Sequence, residues 1–160
     1  MLKRVKTKTA SASGGSFAIV ASRYNARYVR AMVRAAQTEL TRAKAAKIRL
    51  VRVPGAYEIP IVAASLARLG PARPDAIICL GVILRGETVH AAHIGEAVSR
   101  ALMDIQLQSG VPVIHEVLLL ENEEQARVRC LSRTHNRGAE AAQTALAMAQ
   151  VMRRLAVRPG

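Results

Sequence analysis

Apolar residues in this chain gather into two kinds of segment that alternate along its length. Residues 16–22 (SFAIVAS) form a continuous apolar run of strand length, the pattern of a strand covered on both faces of a parallel sheet. Over residues 26–45 the apolar positions Val29, Met32, Val33, Ala36 and Leu40 recur at helical spacing. Residues 47–53 (KIRLVRV) alternate, which predicts an edge strand with one exposed face. Pro54 and Gly55 turn the chain, and a second helix is expected from Tyr57 to about residue 69, with Pro60 tolerated in its first turn and Gly70 closing it. A third strand is expected over 76–80, then a tight glycine-containing turn at Gly81 and beyond. Thr88 is the expected N-cap of a helix reaching about residue 108. Residues 111–119 read as a fourth strand, and Glu121 begins a short helix whose acids suit the helix dipole. The last helix, 138–155, is apolar nearly all round (Ala141, Ala142, Ala145, Leu146, Met148, Ala149, Val151, Met152), which predicts a subunit interface.

Strands alternating with helices of this size predict an α/β fold, a mostly parallel sheet with helices on both faces. Ligands in such sheets bind beyond the carboxyl ends of the strands. That rule gathers residues 23–25, 56–58, 83–90 and the end of the fourth strand onto one rim. The expected organisation is one domain over 16–155, a flexible basic tail over 1–15 and a short C-terminal tail over 156–160.

Composition changes this picture at few points. The chain has 160 residues and a formal net charge of +13, with three tyrosines, one phenylalanine and no tryptophan. The charge invites a nucleic-acid reading. Lys and Arg occur along the whole chain, however, and few aromatics are available to stack on bases, so any nucleic-acid contact is expected to be incidental. No apolar run approaches the roughly 18 residues that cross a bilayer, so no membrane role is expected. Cys79 and Cys130 make no ligand spacing and read as reduced residues of a cytoplasmic protein.

The chemistry concentrates at residues 81–90 (GVILRGETVH). A strand, a turn and a helix start leave unpaired N–H groups where an anion can bind. Arg85 offers a forked cation for phosphate or carboxylate, and His90, in the helix's first turn, is a candidate general acid–base. Tyr24 can stack on a planar heterocycle or be an ordinary half-buried tyrosine. Glu58 can bond sugar hydroxyls or simply complement a helix dipole. His90, His93 and Glu96 share a helix face, but no further ligand motif accompanies them, so no metal is expected.

Quoted in order, RYN at 23–25, VPGAYEIP at 53–60, LG at 80–81, LRGETVH at 84–90, GVPV at 110–113, ENEEQA at 121–126 and NRG at 136–138 resemble the 6,7-dimethyl-8-ribityllumazine synthase family over about residues 16–152. The resemblance implies a flavodoxin-like three-layer αβα sandwich with a four-stranded parallel sheet. It implies condensation of 5-amino-6-(ribitylamino)uracil with 3,4-dihydroxy-2-butanone 4-phosphate, the penultimate step of riboflavin biosynthesis, with no cofactor. It also implies a homo-oligomer (a pentamer, a decamer or a sixty-subunit icosahedral shell) with active sites between subunits, and riboflavin synthase as a candidate partner.

By position, the resemblance makes Tyr24 the residue stacked on the pyrimidine. Asn25, Ala56, Tyr57, Glu58, Ile83 and Leu84 would line the pyrimidine and ribityl site, and Gly86, Glu87 and Thr88 would hold the phosphate. His90 would move protons. Ile114, His115 and Arg137 would come from the neighbouring subunit, and Arg129 matches the phosphate-binding arginine. The chain departs from the family pattern at Ala91 and Ala92, where an aromatic–Asp pair is usual. It departs again at His115 for phenylalanine, at Arg137 for lysine, and at 118–120, where leucines replace a threonine-rich strand end. A second reading is therefore a catalytically weak flavin- or lumazine-binding, or shell-forming, relative.

Overall fold

In a computed structural model, described over residues 15–157, the apolar runs pair into one sheet. The expected basic tail, apart from Gly15, and residues 158–160 lie outside the described residues. Strands β1 (Ser16–Ser22), β2 (Lys47–Val53), β3 (Ala76–Leu84) and β4 (Val113–Leu120) are all parallel, in the order β2-β1-β3-β4. That order is the flavodoxin-like winding without a fifth strand. The central strands β1 and β3 are almost wholly buried, as continuous apolar runs require, while β2 keeps an exposed side at one edge.

Side chains alternate across the sheet and feed two cores. One face packs Phe17, Ile19, Ile78 and Leu80 against α1 (Ala26–Arg42) and α5 (Arg137–Ala156), with α4 (Glu123–Cys130) beside them. The other packs Val20, Ile77, Cys79 and Val117 against α2 (Ile59–Ala67) and α3 (His90–Ser109). The α/β three-layer sandwich is thus the observed architecture.

Two expectations are corrected. Gly81 is not a turn: β3 runs through it to Leu84, and the glycine is there because a Cβ would lie 3.1 Å from Val117 Cγ1 and 3.3 Å from the Ser22 hydroxyl. Tyr57 lies in a short 3-10 turn, Ala56–Glu58, that precedes α2. Part of the apolarity of α5 serves the chain's own core, while Val151 stays 42% exposed. Ala141, Ala142, Ala145, Leu146 and Ala149 are buried in the first core, where α5 packs on α1, β3 and β4. That approach is close: a Cβ on Gly138 would collide with the Met32 carbonyl of α1.

Candidate active site

The site begins where β1 ends. The Arg23 N–H donates to the Val53 carbonyl at 2.9 Å and the Tyr24 N–H to the Pro54 carbonyl at 3.3 Å, so the loops after β1 and β2 are tied together. Asn25 takes a left-handed conformation (φ 55, ψ 43) in the cap position of α1, and its Nδ2 donates to the Val82 carbonyl at 2.7 Å, fixing the turn to β3. Glu58 Oε2 accepts from the Gly55 N–H at 2.8 Å, which holds the carboxylate at the mouth of the Pro-Gly turn. Gly55 lies against the Tyr24 ring, where an added Cβ would stand 3.1 Å from Cδ2.

These loops, the end of β3 and the first turns of α3 enclose a cleft of about 760 Å³, lined by Tyr24, Asn25, Gly55, Ala56, Tyr57, Glu58, Val82, Ile83, Leu84, His90, His93, Ile94 and Ala97. Eight of the residues expected at the site therefore come together: Tyr24, Asn25, Ala56, Tyr57, Glu58, Ile83, Leu84 and His90. Tyr24 and Tyr57 are 71% and 65% exposed, so their rings are available to a planar ligand. Sequence reasoning missed Ile94 and Ala97 as lining residues. Their spacing of four and seven from His90 puts them on its helix face, which was a usable signal.

Gly86, Glu87 and Thr88 are exposed and adjoin the cleft rather than line it. Thr88 is not the N-cap: α3 begins at His90 with Val89 in the cap position, and the Thr88 hydroxyl accepts from the His90 N–H only at 3.4 Å. The first N–H groups of α3 therefore lack a strong side-chain cap, which suits an anion. Arg85 meets a carboxylate, one of the two anions expected of its fork: its Nη1 donates to both carboxylate oxygens of Glu121, at 2.9 and 3.2 Å. The register Leu84↔Leu120 brings the two residues side by side.

The four remaining residues lie away from the cleft, across β4 and beyond it. Ile114 is 7% exposed, packed into the first core. His115 points to the α3 side, its Nδ1 accepting from the Val117 N–H at 3.1 Å and its Nε2 lying 2.7 Å from the Ser99 hydroxyl, which itself donates to the Gly95 carbonyl at 2.8 Å. That network assigns the proton to Nε2, and burial holds the imidazole pKa below its ordinary value. Arg129 lies on α4, and Arg137 opens α5 paired with Glu140 at 2.9 Å. The sequence reading also passed over Glu116. Burial pushes its carboxyl up to about 7, opposed by the Arg137 guanidinium and reinforced by Glu140. An acid within VIHEVLLL was the available signal. His90, His93 and Glu96 share α3, yet among the described residues no three His, Cys, Asp or Glu side chains gather as a metal site.

Residues 14–153 match the family model of 6,7-dimethyl-8-ribityllumazine synthase. The chain belongs to this family. It is 41% identical over 145 residues to the 6,7-dimethyl-8-ribityllumazine synthase of Xylella fastidiosa (strain 9a5c), covering 89% of this chain and 93% of that one. The proteins of the same name from Xanthomonas euvesicatoria pv. vesicatoria (strain 85-10) and Xanthomonas oryzae pv. oryzae (strain PXO99A) are each 41% identical over 138 residues, covering 85% of this chain and 88% of theirs. Within a lumazine synthase frame, the alanines after His90 fall on the start of α3, Ala91 buried at 8% exposure and Ala92 half-buried. The nearest polar side chain on that helix to share the cleft with His90 is His93.

Proposed function

We propose that this chain condenses 5-amino-6-(ribitylamino)uracil with 3,4-dihydroxy-2-butanone 4-phosphate, giving 6,7-dimethyl-8-ribityllumazine, inorganic phosphate and water. The observation that carries this reading is the cleft itself, where two exposed tyrosines, an anchored Glu58 and His90 share one wall in a member of the lumazine synthase family. Tyr24 stacks on the pyrimidine, while Asn25, Ala56, Tyr57, Glu58, Ile83 and Leu84 line the pyrimidine and ribityl site. Gly86, Glu87 and Thr88 present the N-terminus of α3 to the butanone phosphate. The pyrimidine amine attacks the butanone carbonyl and forms an imine with loss of one water, phosphate departs, and ring closure expels a second water. His90 carries protons through these steps, with His93 as the second polar group beside it.

The cleft of one chain lacks a cation, since neither Lys nor Arg lines it. This favours a homo-oligomer, a pentamer or a larger assembly of pentamers, in which Arg129, Arg137, His115 and the Ile114 backbone of one subunit face the cleft of the next. Riboflavin synthase, which consumes the product, is the partner this reading assigns, and the cytoplasm is the location. Purified protein incubated with both substrates should generate lumazine absorbance and fluorescence. Folded protein that yields no product at any pH would remove the proposal.

A further inference from the structure

Once the elements are placed, the positive charge of this chain proves to be concentrated. Residues 23–53 hold nine Lys and Arg against a single acid, Glu39, a net +8 of the formal +13; residues 54–157 hold ten basic and ten acidic side chains and are neutral. The charged segment is one unit of structure, α1 followed by the edge strand β2.

Within it, three arginines from three elements converge. Arg23 follows β1, with its N–H on the Val53 carbonyl. Arg52 sits beside it on β2, in register with Ala21, and Arg30 projects from α1. Their proximity is marked in Arg52, whose pKa is lowered by burial and by the charges of Arg30 and Arg23. Among the described residues no ion pair joins any of the three to a carboxylate.

A track continues from this cluster. Arg27, Arg30, Arg34, Thr38 and Thr41 are exposed at steps of three and four residues, opposite the buried stripe of α1. Its far end is a shallow groove of about 540 Å³ between Arg34 and Arg42, otherwise lined by hydroxyls and an amide, where Arg42 pairs with Glu39 at 3.0 Å. Arg30 to Arg42 spans roughly 18 Å of helix.

What the track lacks defines its occupant. No large apolar side chain is exposed on α1 and Leu50, 37% exposed, is the one on β2, so a protein or membrane partner finds little apolar foothold there. Tyr28 is buried, so no aromatic is presented on α1 for reading bases. Arginine forks and hydroxyls alone match phosphate oxygens. We propose that the α1–β2 face binds the phosphate backbone of nucleic acid, without sequence preference, through the Arg23–Arg30–Arg52 cluster and the arginine track along α1. None of these arginines lines the cleft, although Arg23 precedes the cleft residue Tyr24.

The test is fluorescence anisotropy of a labelled, mixed-sequence single-stranded RNA titrated with the full chain over a salt series. Binding should weaken with salt at a log–log slope of about −2 or steeper, for three or more phosphates neutralised. The double variant Arg30→Glu, Arg52→Glu should raise Kd at least tenfold. Arg68→Glu, Arg154→Glu removes the same net charge from exposed sites elsewhere and should change Kd by less than threefold. Should the first pair disturb folding by circular dichroism, Arg30→Gln with Arg52→Gln is expected to give a smaller loss in the same direction.

Equal losses from both glutamate pairs would reduce the effect to net charge and overturn the proposal. Binding kept in Arg30→Glu, Arg52→Glu but lost on reversing Lys3, Arg4, Lys6 and Lys8 would move it to the N-terminal segment and also overturn it. So would poly-glutamate binding as tightly as RNA, which would make the occupant an acidic polypeptide.

Discussion

The cleft beside β1 and β3 and the edge formed by β4, α4 and α5 carry residues of the same family pattern, but they are built in opposite ways. In the cleft the backbone does the anchoring: Asn25 is held by the Val82 carbonyl and Glu58 by the Gly55 N–H, and the tyrosine rings remain exposed. At the edge the side chains are engaged with one another. Arg137 pairs with Glu140, His115 uses both ring nitrogens, and Ile114 is buried in the core. Arg129 and, at the far end of α5, Arg154 are the cations there that no ion pair holds among the described residues. One region is a receptor without a cation; the other has a cation without a receptor. This asymmetry favours two copies of the chain meeting at each site.

The sharpest way to break that comparison is to damage each region in a separate chain. His90→Ala should lower kcat by roughly 10²- to 10⁴-fold if the imidazole acts as a general acid–base. Arg129→Ala should act chiefly on the KM of the phosphate substrate. When the two variants are unfolded together and reassembled, activity well above either parent is expected, because some sites then combine an intact His90 with an intact Arg129. Mixed assemblies no more active than their parents would place both residues in one chain's site. Next in size is Gly138→Ala. Its Cβ would strike the Met32 carbonyl, so α5 must move off α1 and carry Arg137 with it. A loss of about 3 kcal/mol in denaturant unfolding is expected. Full stability would show that α5 adjusts freely, and the edge would then be no fixed platform.

The contrast also explains what could be read from sequence. Strands and helices are legible because period and length distinguish them, and the rule that ligands bind beyond the strand ends brings Tyr24, Glu58 and His90 together from sequence alone. Gly81 misled because a glycine after an apolar run resembles a turn, whereas its role is to admit Val117 and Ser22 from neighbouring strands. For Arg85 the sequence left phosphate and carboxylate open, because its partner Glu121 lies 36 residues away and meets it only through the β3–β4 register. For α5 a single sequence cannot divide the apolar face between the chain's own core, which takes Ala141, Ala145 and Ala149, and a neighbour, to which Val151 is left exposed. In each case local pattern was right about residue type and silent about the long-range partner.

Glu116 tests whether the edge is complete in one chain. The folded carboxyl holds its proton more tightly than an unfolded one, with a pKa of about 7, owing chiefly to burial. The folded state therefore binds more protons between the ordinary carboxyl value and about 7, and stability from this group declines as pH rises through that window. Glu116→Gln should remove the decline, gaining on the parent from pH 5 to pH 8 by at most about 3 kcal/mol. An unchanged difference across that range would mean that the carboxylate is ionised and held by a cation, whether Arg137 or one from a neighbouring chain.

The smallest effect is expected at His115→Phe, which restores the residue usual in the family. Phenylalanine cannot accept the Val117 N–H or donate to Ser99, so a loss of about 1 kcal/mol is expected at pH 8. The N–H freed in this way lies on an edge strand, where water can replace part of the bond. The sign with pH is opposite to that of Glu116. Burial lowers the histidine's pKa, so its contribution is full above the ordinary imidazole value and lost as pH falls, and the gap between parent and variant should narrow at pH 5. Urea titrations at fixed protein concentration would measure both points, since any assembly would make stability concentration-dependent. If His115→Phe instead leaves stability unchanged at both pH values and shifts the KM of the pyrimidine substrate, then His115 belongs with the cleft as a ligand contact, and the division drawn between the two regions runs on the wrong side of β4.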